Sequence, residues 1–246
     1  MKSMANVKEF EREVRIATYE VSAQSILKLS VMLRICQETS EQHLASLCIG
    51  YERLKADGLV FLITRSAVKI NRMPAHGETV VVKTHPCGVV GAQFYRDFVF
   101  YSNGEKIIDV MQASVAANTE THKIMHPKQF MKYDIDPSPN GTTDVRLGKI
   151  DLPQDMPLQG ERPIRFSDLD YNSHLNNAVY GDIICDYLPG GIMGRQFSEI
   201  QINYVNESKL GENLAIYAQE QDNTILMYGD NERGRGFECK AILIPK

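Results

Sequence analysis

AVKINRMPAHGETVVV (67–82) and EIQINYVNESKLGENLAI (199–216) are two versions of one pattern. Each carries an Ile-Asn pair, then a Gly-Glu pair, then alternating apolar positions. The second copy has two extra residues between the pairs. Alternation at period two puts every second side chain on one face of a strand. A pattern that recurs once within a chain of 246 residues predicts a duplicated unit.

The elements around the two copies repeat in the same order. Ahead of the first, residues 7–21 read as a strand running into a polar corner. SILKLSVMLRICQETSEQHLASL (25–47) then places Leu29, Met32, Leu33, Cys36, His43, Leu44 and Leu47 at helical spacing, with Ser25 as a candidate N-cap. LVFLITRSAVKI (59–70), TVVVKTHP (79–86), AQFYRDFVFY (92–101) and KIIDVMQASVAAN (106–118) read as strands, and Asn103-Gly104 as a hairpin turn. In the second half ERPIRFSD (161–168) reads as a strand. A helix follows with Tyr180, Ile183, Ile184, Tyr187 and Leu188 on one face, stopped at Pro189-Gly190-Gly191. Strands are predicted over 198–208, 212–221, 223–230 and 236–246. The stretch from Pro127 to Pro157 is proline-rich, with an Asn140-Gly141 turn, and reads as a linker. The expected fold class is α+β: a helix wrapped by a strongly curved antiparallel sheet, twice over. The divisions are an N-terminal domain over 1–130, a linker over 131–157 and a C-terminal domain over 158–246.

Composition narrows the function. Apolar residues make up 43% and charged residues 24%, which fits a packed globular chain. A net charge of −4 argues against a nucleic-acid binder. The five cysteines Cys36, Cys48, Cys87, Cys185 and Cys239 form no C-x-x-C pair, which points to reduced thiols and a cytoplasmic location. The polar N-terminus does not read as a signal peptide, and no apolar run is long enough to span a bilayer. His76, His85, His122 and His126 lie in turns or strand ends and read as surface residues. Cys185, among apolar helix residues, reads as a buried thiol rather than a nucleophile. Gly190-Gly191 lacks the context of a phosphate loop.

FSDLDYNSHLNNAVY (166–180) stands out. Asp168, Asp170, Asn172, His174, Asn176 and Asn177 crowd the start of the second helix. A helix cap accounts for one or two of them, not six. A metal site would want a second histidine, a cysteine cluster or a calcium-loop glycine, and none is near. In an extended segment Asp170, Asn172 and His174 would face one side. They would meet the unpaired N–H groups of a helix N-terminus, as a proton-handling, oxyanion-binding site requires. The backbone N–H groups of Asn176 and Asn177 are the candidate oxyanion donors.

Asp170-x-Asn172-x-His174-x-x-Asn177 resembles the acyl-acyl-carrier-protein thioesterases. CQETSEQH (36–43) and TRSAVKINRMPAHGETVVVKT (64–84) are similar to the same family's first helix and following strands. The resemblance covers nearly the whole chain and implies tandem hotdog domains. It implies that Asp170, Asn172 and His174 are catalytic, joined by Glu207 in Tyr204-Val205-Asn206-Glu207-Ser208. Ser208 departs from the cysteine of many plant members: a cysteine nucleophile would imply an inactive chain here, and the preferred reading is that water is the nucleophile and the cysteine dispensable. Whether Glu207 or His174 is the base stays open. Laying Cys36 on Cys185 sets Val21, Ala23 and Ser25 against Asp170, Asn172 and His174, so the first half has lost its acid–base groups. The resemblance then implies that it holds the acyl chain, with Met32, Leu33, Phe61 and Ile63 as candidate lining residues. The implied partner is an acyl carrier protein bearing a fatty acyl chain. Lys128, Lys132, Arg146, Lys149, Arg162, Arg165 and Arg195 are candidate docking cations. No cofactor, metal, nucleic acid or membrane insertion is expected, and the chain would be a monomer or a homodimer. The alternatives are a hotdog thioesterase acting on coenzyme A esters and a non-catalytic acyl-binding module.

Overall fold

The computed structural model of the chain describes residues 9–121, 123–133 and 143–245. The first half runs β1 (Phe10–Arg15), α1 (Leu29–Ser46), α2 (Tyr51–Ala56), β2 (Leu59–Ile70), β3 (Thr79–Val90), β4 (Gln93–Ser102) and β5 (Glu105–Asn118). The second runs β6 (Leu158–Pro163), α3 (Val179–Asp186), β7 (Arg195–Tyr204), β8 (Asn213–Gln221), β9 (Thr224–Asn231) and β10 (Gly234–Pro245). All strands join one antiparallel sheet in the order β1-β3-β4-β5-β2-β7-β10-β9-β8-β6. The order reads alike from either edge, so the halves are related by a pseudo-twofold passing between β2 and β7. There Ala67 pairs with Gln201. This is a tandem hotdog.

The core explains the helical spacing. Leu29, Met32, Leu33 and Cys36 of α1 and Tyr180, Ile183 and Ile184 of α3 are buried in one cluster with β-strand residues such as Phe98, Phe100 and Phe237. Burial of each such aliphatic or aromatic side chain contributes roughly 1.5–3 kcal/mol. The helices cross closely, because Gly181 brings α3 against the α1 backbone at Ser30. The Asn103-Gly104 turn forms as expected, with both residues at positive φ.

Four expectations change. The first helix begins at Leu29, not after Ser25. Ser25 has φ 60° and sits in a tight turn closed by Ser22 N–H donating to Ile26 O. The strand expected over 161–168 ends at Pro163, because Asp168 Oδ2 accepts the Arg165 N–H at 2.8 Å and curls the chain into a 3-10 turn. His85 is buried, not superficial: its ring lies 2.9 Å from Asp97 Oδ1 and 3.0 Å from Glu9 Oε2. The repeat needs no two-residue insertion. Leu27 N–H donates to Pro74 O as Leu175 N–H does to Ser208 O. The Asn71 and Arg72 N–H groups reach Ile107 O as those of Val205 and Asn206 reach Gly236 O. The Gly-Glu match is therefore structural, whereas the Ile-Asn match falls on non-equivalent positions. His122 and the Asn140-Gly141 turn lie outside the described residues.

Candidate active site

The polar run is a turn, not an extended strand. Asp170 N–H donates to His174 O at 2.8 Å, Ser173 N–H donates to Asp170 O, and Ser173 has φ 63°. The Asp170 carboxylate closes the turn from within: Oδ1 accepts the N–H groups of Asn172 at 2.8 Å and His174 at 3.2 Å. Asp170 therefore holds the shape of the loop, as an Asx turn does. Asp170, Asn172 and His174 still face one cleft, so the turn achieves what the alternation was expected to do.

His174 is fixed twice more. Its backbone bridges to Lys209, and its Nε2 lies 3.1 Å from Glu207 Oε2. Glu207 follows the end of β7 and is itself clamped from the β9–β10 hairpin. Asn231 Nδ2 donates to Glu207 O at 3.1 Å, and the Arg233 guanidinium donates to the same oxygen at 2.5 Å. The carboxylate is 44% exposed, so it faces solvent while holding the imidazole.

The start of α3 corrects one oxyanion assignment. The Asn176 N–H donates to Asp168 O at 2.9 Å and is spent within the loop. The Asn176 side chain accepts the Ala178 N–H, so it shapes the helix entry instead. Among the described residues the Asn177 N–H has no hydrogen-bond partner, and Asn177 lines the cleft.

That cleft encloses about 490 Å³. Asp170, Asn172, His174, Asn177 and Glu207 line it with Gln37, Tyr180, Tyr204 and Arg233. Burial pushes the Tyr180 phenol up to about 12 and raises Tyr204 as well, so both stay protonated at neutral pH. Cys185 is likewise held protonated, its thiol pushed up to about 12 by burial. Sequence reasoning took Tyr180 only as helix core and did not single out Gln37, Asn231 or Arg233. None of these carries a local signal, since each is brought in by topology alone.

A second cavity, of about 140 Å³, opens beside the first within the N-terminal half. Gln37, Phe61, Ile63 and Tyr171 line both. Leu44, Phe94 and Phe130 extend its apolar wall, where the rings of Phe61, Phe94 and Phe130 meet edge to face at centroid separations of 4.9–5.3 Å. Phe61 and Ile63, two of the four candidate lining residues, face this cavity. Met32 and Leu33 do not: both are sealed in the core facing α3. The cavity meets α1 later, at Gln37, Ser40, Glu41 and Leu44.

The twofold also shows what the other half has lost. The Val21–Leu27 bridge matches the Leu169–Leu175 bridge, which moves the correspondence by one residue from that given by the cysteines. Ser22, Gln24 and Ile26 stand where Asp170, Asn172 and His174 do, and Met73 where Glu207 does. These four line the twin cavity. Gln24 spends its amide on the backbone, with Nε2 donating to Ile192 O and Arg195 O. The first half has no acid–base pair at this position.

Comparison with known proteins places this architecture. A family model described as the acyl-ACP thioesterase N-terminal domain matches residues 7–131, and one described as the C-terminal domain matches residues 153–242. The chain belongs to the acyl-ACP thioesterase family. A dodecanoyl-[acyl-carrier-protein] hydrolase of Cinnamomum camphora is 28% identical over 251 residues, spanning 95% of this chain and 63% of that protein. The chain thus spans less than two thirds of the length of that curated chloroplastic relative. An acyl-ACP thioesterase from Bacteroides thetaiotaomicron superposes with a TM-score of 0.82 at 20% identity, over 96% of this chain and 98% of the other. The 12:0-ACP thioesterase from Umbellularia californica does so with a TM-score of 0.83 at 20% identity, over 97% and 98%. Both share the tandem hotdog fold. No helix among the described residues is long and apolar enough to cross a membrane.

Proposed function

We propose that the chain hydrolyses the thioester of a fatty acyl-acyl-carrier protein, releasing free fatty acid and ending chain elongation. The observation that carries this reading is the His174–Glu207 pair, 3.1 Å apart, facing a cleft that adjoins an apolar cavity. Membership of the family supports the substrate class.

A carboxylate accepts and does not donate, so the contact puts a proton on His174 Nε2 and leaves Nδ1 as the basic nitrogen. In the proposed step His174 takes a proton from water as the water oxygen bonds to the thioester carbonyl carbon. The carbonyl electron pair moves onto oxygen, toward the Asn177 N–H and the Asn172 side chain. Collapse breaks the carbon–sulfur bond, and the thiolate leaves with the proton that His174 carries. Glu207 stabilises the transient imidazolium. Asp170 keeps the loop in register. The nucleophile is water, and Ser208 is not needed for it: Ser208 is buried, and its hydroxyl accepts from Asn231 at 3.2 Å.

The acyl chain would lie along Phe61, Ile63, Phe94 and Phe130, which assigns chain binding to residues 1–130 and chemistry to residues 158–246. A monomer or a homodimer as the working unit belongs to the same proposal. Cytoplasmic residence belongs to the same proposal and draws support from five free cysteines. The test is hydrolysis of carrier-protein thioesters of varied chain length beside coenzyme A thioesters of the same acyl groups. Turnover of neither would refute the reading, and preference for coenzyme A would transfer it to the alternative substrate.

A further inference from the structure

The pseudo-twofold supplies an internal control, because the rim of the catalytic cleft can be compared with the same rim around the twin cavity. The correspondence is fixed by backbone hydrogen bonds. Ile16 N–H donates to Glu78 O as Ile164 N–H does to Glu212 O, and Gly77 N–H donates to Ile16 O as Gly211 N–H does to Ile164 O. The hairpin pairs Ser102–Glu105 and Asn231–Gly234 also match. Arg165 and Phe166 therefore stand where the first half has Ala17 and Thr18. Lys209 and Leu210 replace Ala75 and His76, and Arg233 replaces Gly104.

These replacements share a character. All five residues are exposed, with Phe166 82% and Leu210 57% accessible. Arg165 and Lys209 have no carboxylate within ion-pair distance among the described residues. Arg233 is held by Glu212 at 3.0 Å, and Glu232, in place of Asn103, adds an acidic group beside it, which leaves Arg165 and Lys209 as the unpaired cations of this rim among the described residues. The two turns adjoin, because Gly211 and Glu212 bond to the backbone of Ile164, and Lys209 bridges to His174. Most other candidate cations are already committed. Lys132 pairs with Asp57, Lys149 with Asp151, Arg162 with Asp168 and Arg195 with Glu220.

We infer that Arg165, Phe166, Lys209 and Leu210 form the docking surface for the substrate's carrier, an acidic protein that delivers the thioester into the adjoining cleft. Phe166 and Leu210 are large apolar side chains held in solvent beside an acid–base pair and flanked by two unpaired cations, an arrangement that suits a surface covered by a partner. Unpaired cations around an apolar contact suit an acidic partner. They would speed encounter and set orientation rather than add much to tight binding. The inference rests on the proposed carrier-protein substrate and adds where that carrier sits.

The test compares two substrates of one acyl group, the carrier-protein thioester and the neutral pantetheine thioester, in the wild type and in the variant Arg165→Glu/Lys209→Glu. The expected result is a rise in KM for the carrier-protein substrate of roughly tenfold or more with kcat held, since opposed charges now meet across the contact. Pantetheine thioester hydrolysis should be unchanged, and added salt should raise KM in the wild type but not in the variant. Ala17→Glu/Ala75→Glu, on the twin rim, should leave both substrates unaffected. Unchanged carrier-protein KM in the Arg165→Glu/Lys209→Glu enzyme, with pantetheine thioester still turned over, would overturn the docking surface alone. Failure of the wild type on both thioesters would instead remove the functional reading beneath it.

Discussion

His174 Nε2 and Glu207 Oε2 stand 3.1 Å apart, although the two residues belong to different elements and the contact depends on a third. The imidazole hangs from the turn before α3, the carboxylate from the end of β7, and the β9–β10 hairpin grips the Glu207 carbonyl through Asn231 and Arg233. The pair is a product of the sheet's topology.

Replacing either member should therefore remove most of the chemistry while leaving the fold. His174→Ala and Glu207→Ala are each expected to lower kcat roughly 100- to 10,000-fold, the range for a positioned acid–base group. The double variant should be little worse than the more damaging single one, since the two act as a unit. Steady-state rates beside circular dichroism spectra check this. Full activity in His174→Ala would dismiss the mechanism.

Asp170 should behave differently, because its carboxylate bonds backbone N–H groups and not the imidazole. Asp170→Ala leaves the Asn172 and His174 N–H groups without their acceptor. A cost of roughly 1–3 kcal/mol is expected, with lost activity as the loop relaxes. Asp170→Asn keeps an oxygen in place and should recover much of both. Thermal melts of the two variants decide it. Equal stability with equal inactivity would point instead to a direct role for the charge.

The strand pattern and the duplication were legible in the sequence, because period-two burial leaves a direct mark on residue type. The polar run 170–177 stood out in the sequence as a candidate site, but its geometry was misread. Alternating side chains suit a strand and a tight turn equally, and only the backbone bonds of Asp170 and Ser173 tell them apart. Asn176 was misassigned for a related reason, since the acceptor of its N–H, Asp168 O, is set by the fold of the turn. Met32 and Leu33 show the limit for apolar residues: spacing says that they are buried but not whether core or cavity faces them. Arg233 carries no sequence signal and gains meaning only from its neighbours in space.

Acid sensitivity should trace in part to Glu78. Arg72 forks onto its carboxylate at 2.6 and 3.0 Å, with the Ser102 hydroxyl and Ala75 N–H also donating. These hold its pKa at about 2, below the ordinary 4.5. A depressed folded-state pKa stabilises the fold fully above 4.5, and that contribution drains away as pH falls toward about 2. The melting-temperature gap between wild type and Glu78→Gln should be largest near neutrality and narrow through this window. A gap that does not change with pH would rule the linkage out.

The phenylalanine-lined cavity should set chain length. Ser114 lines it beside Phe61 and Phe94. Ser114→Phe adds a ring to a cavity of about 140 Å³ and should shift preference toward shorter acyl groups. Phe130→Ala should shift it toward longer ones. Competition between acyl-carrier-protein thioesters of two lengths reads the ratio directly, and an unmoved ratio in both variants would place the chain elsewhere.

The tightest constraint on the helix pair is Gly181. A Cβ built there lies 2.8 Å from Ser30 N, 3.1 Å from Ser30 Cα and 3.2 Å from Leu29 C, all backbone atoms of α1. Helix propensity alone favours alanine over glycine by about 1 kcal/mol. Overpacking costs about 1–3 kcal/mol, and here the neighbours cannot rotate away, so it should win. Gly181→Ala is expected to lower the melting temperature by several degrees and, by pushing α3 off α1, to reduce activity through displacement of the Asn177 N–H at the head of the same helix. A stabilised Gly181→Ala variant would mean that the helices can part at little cost.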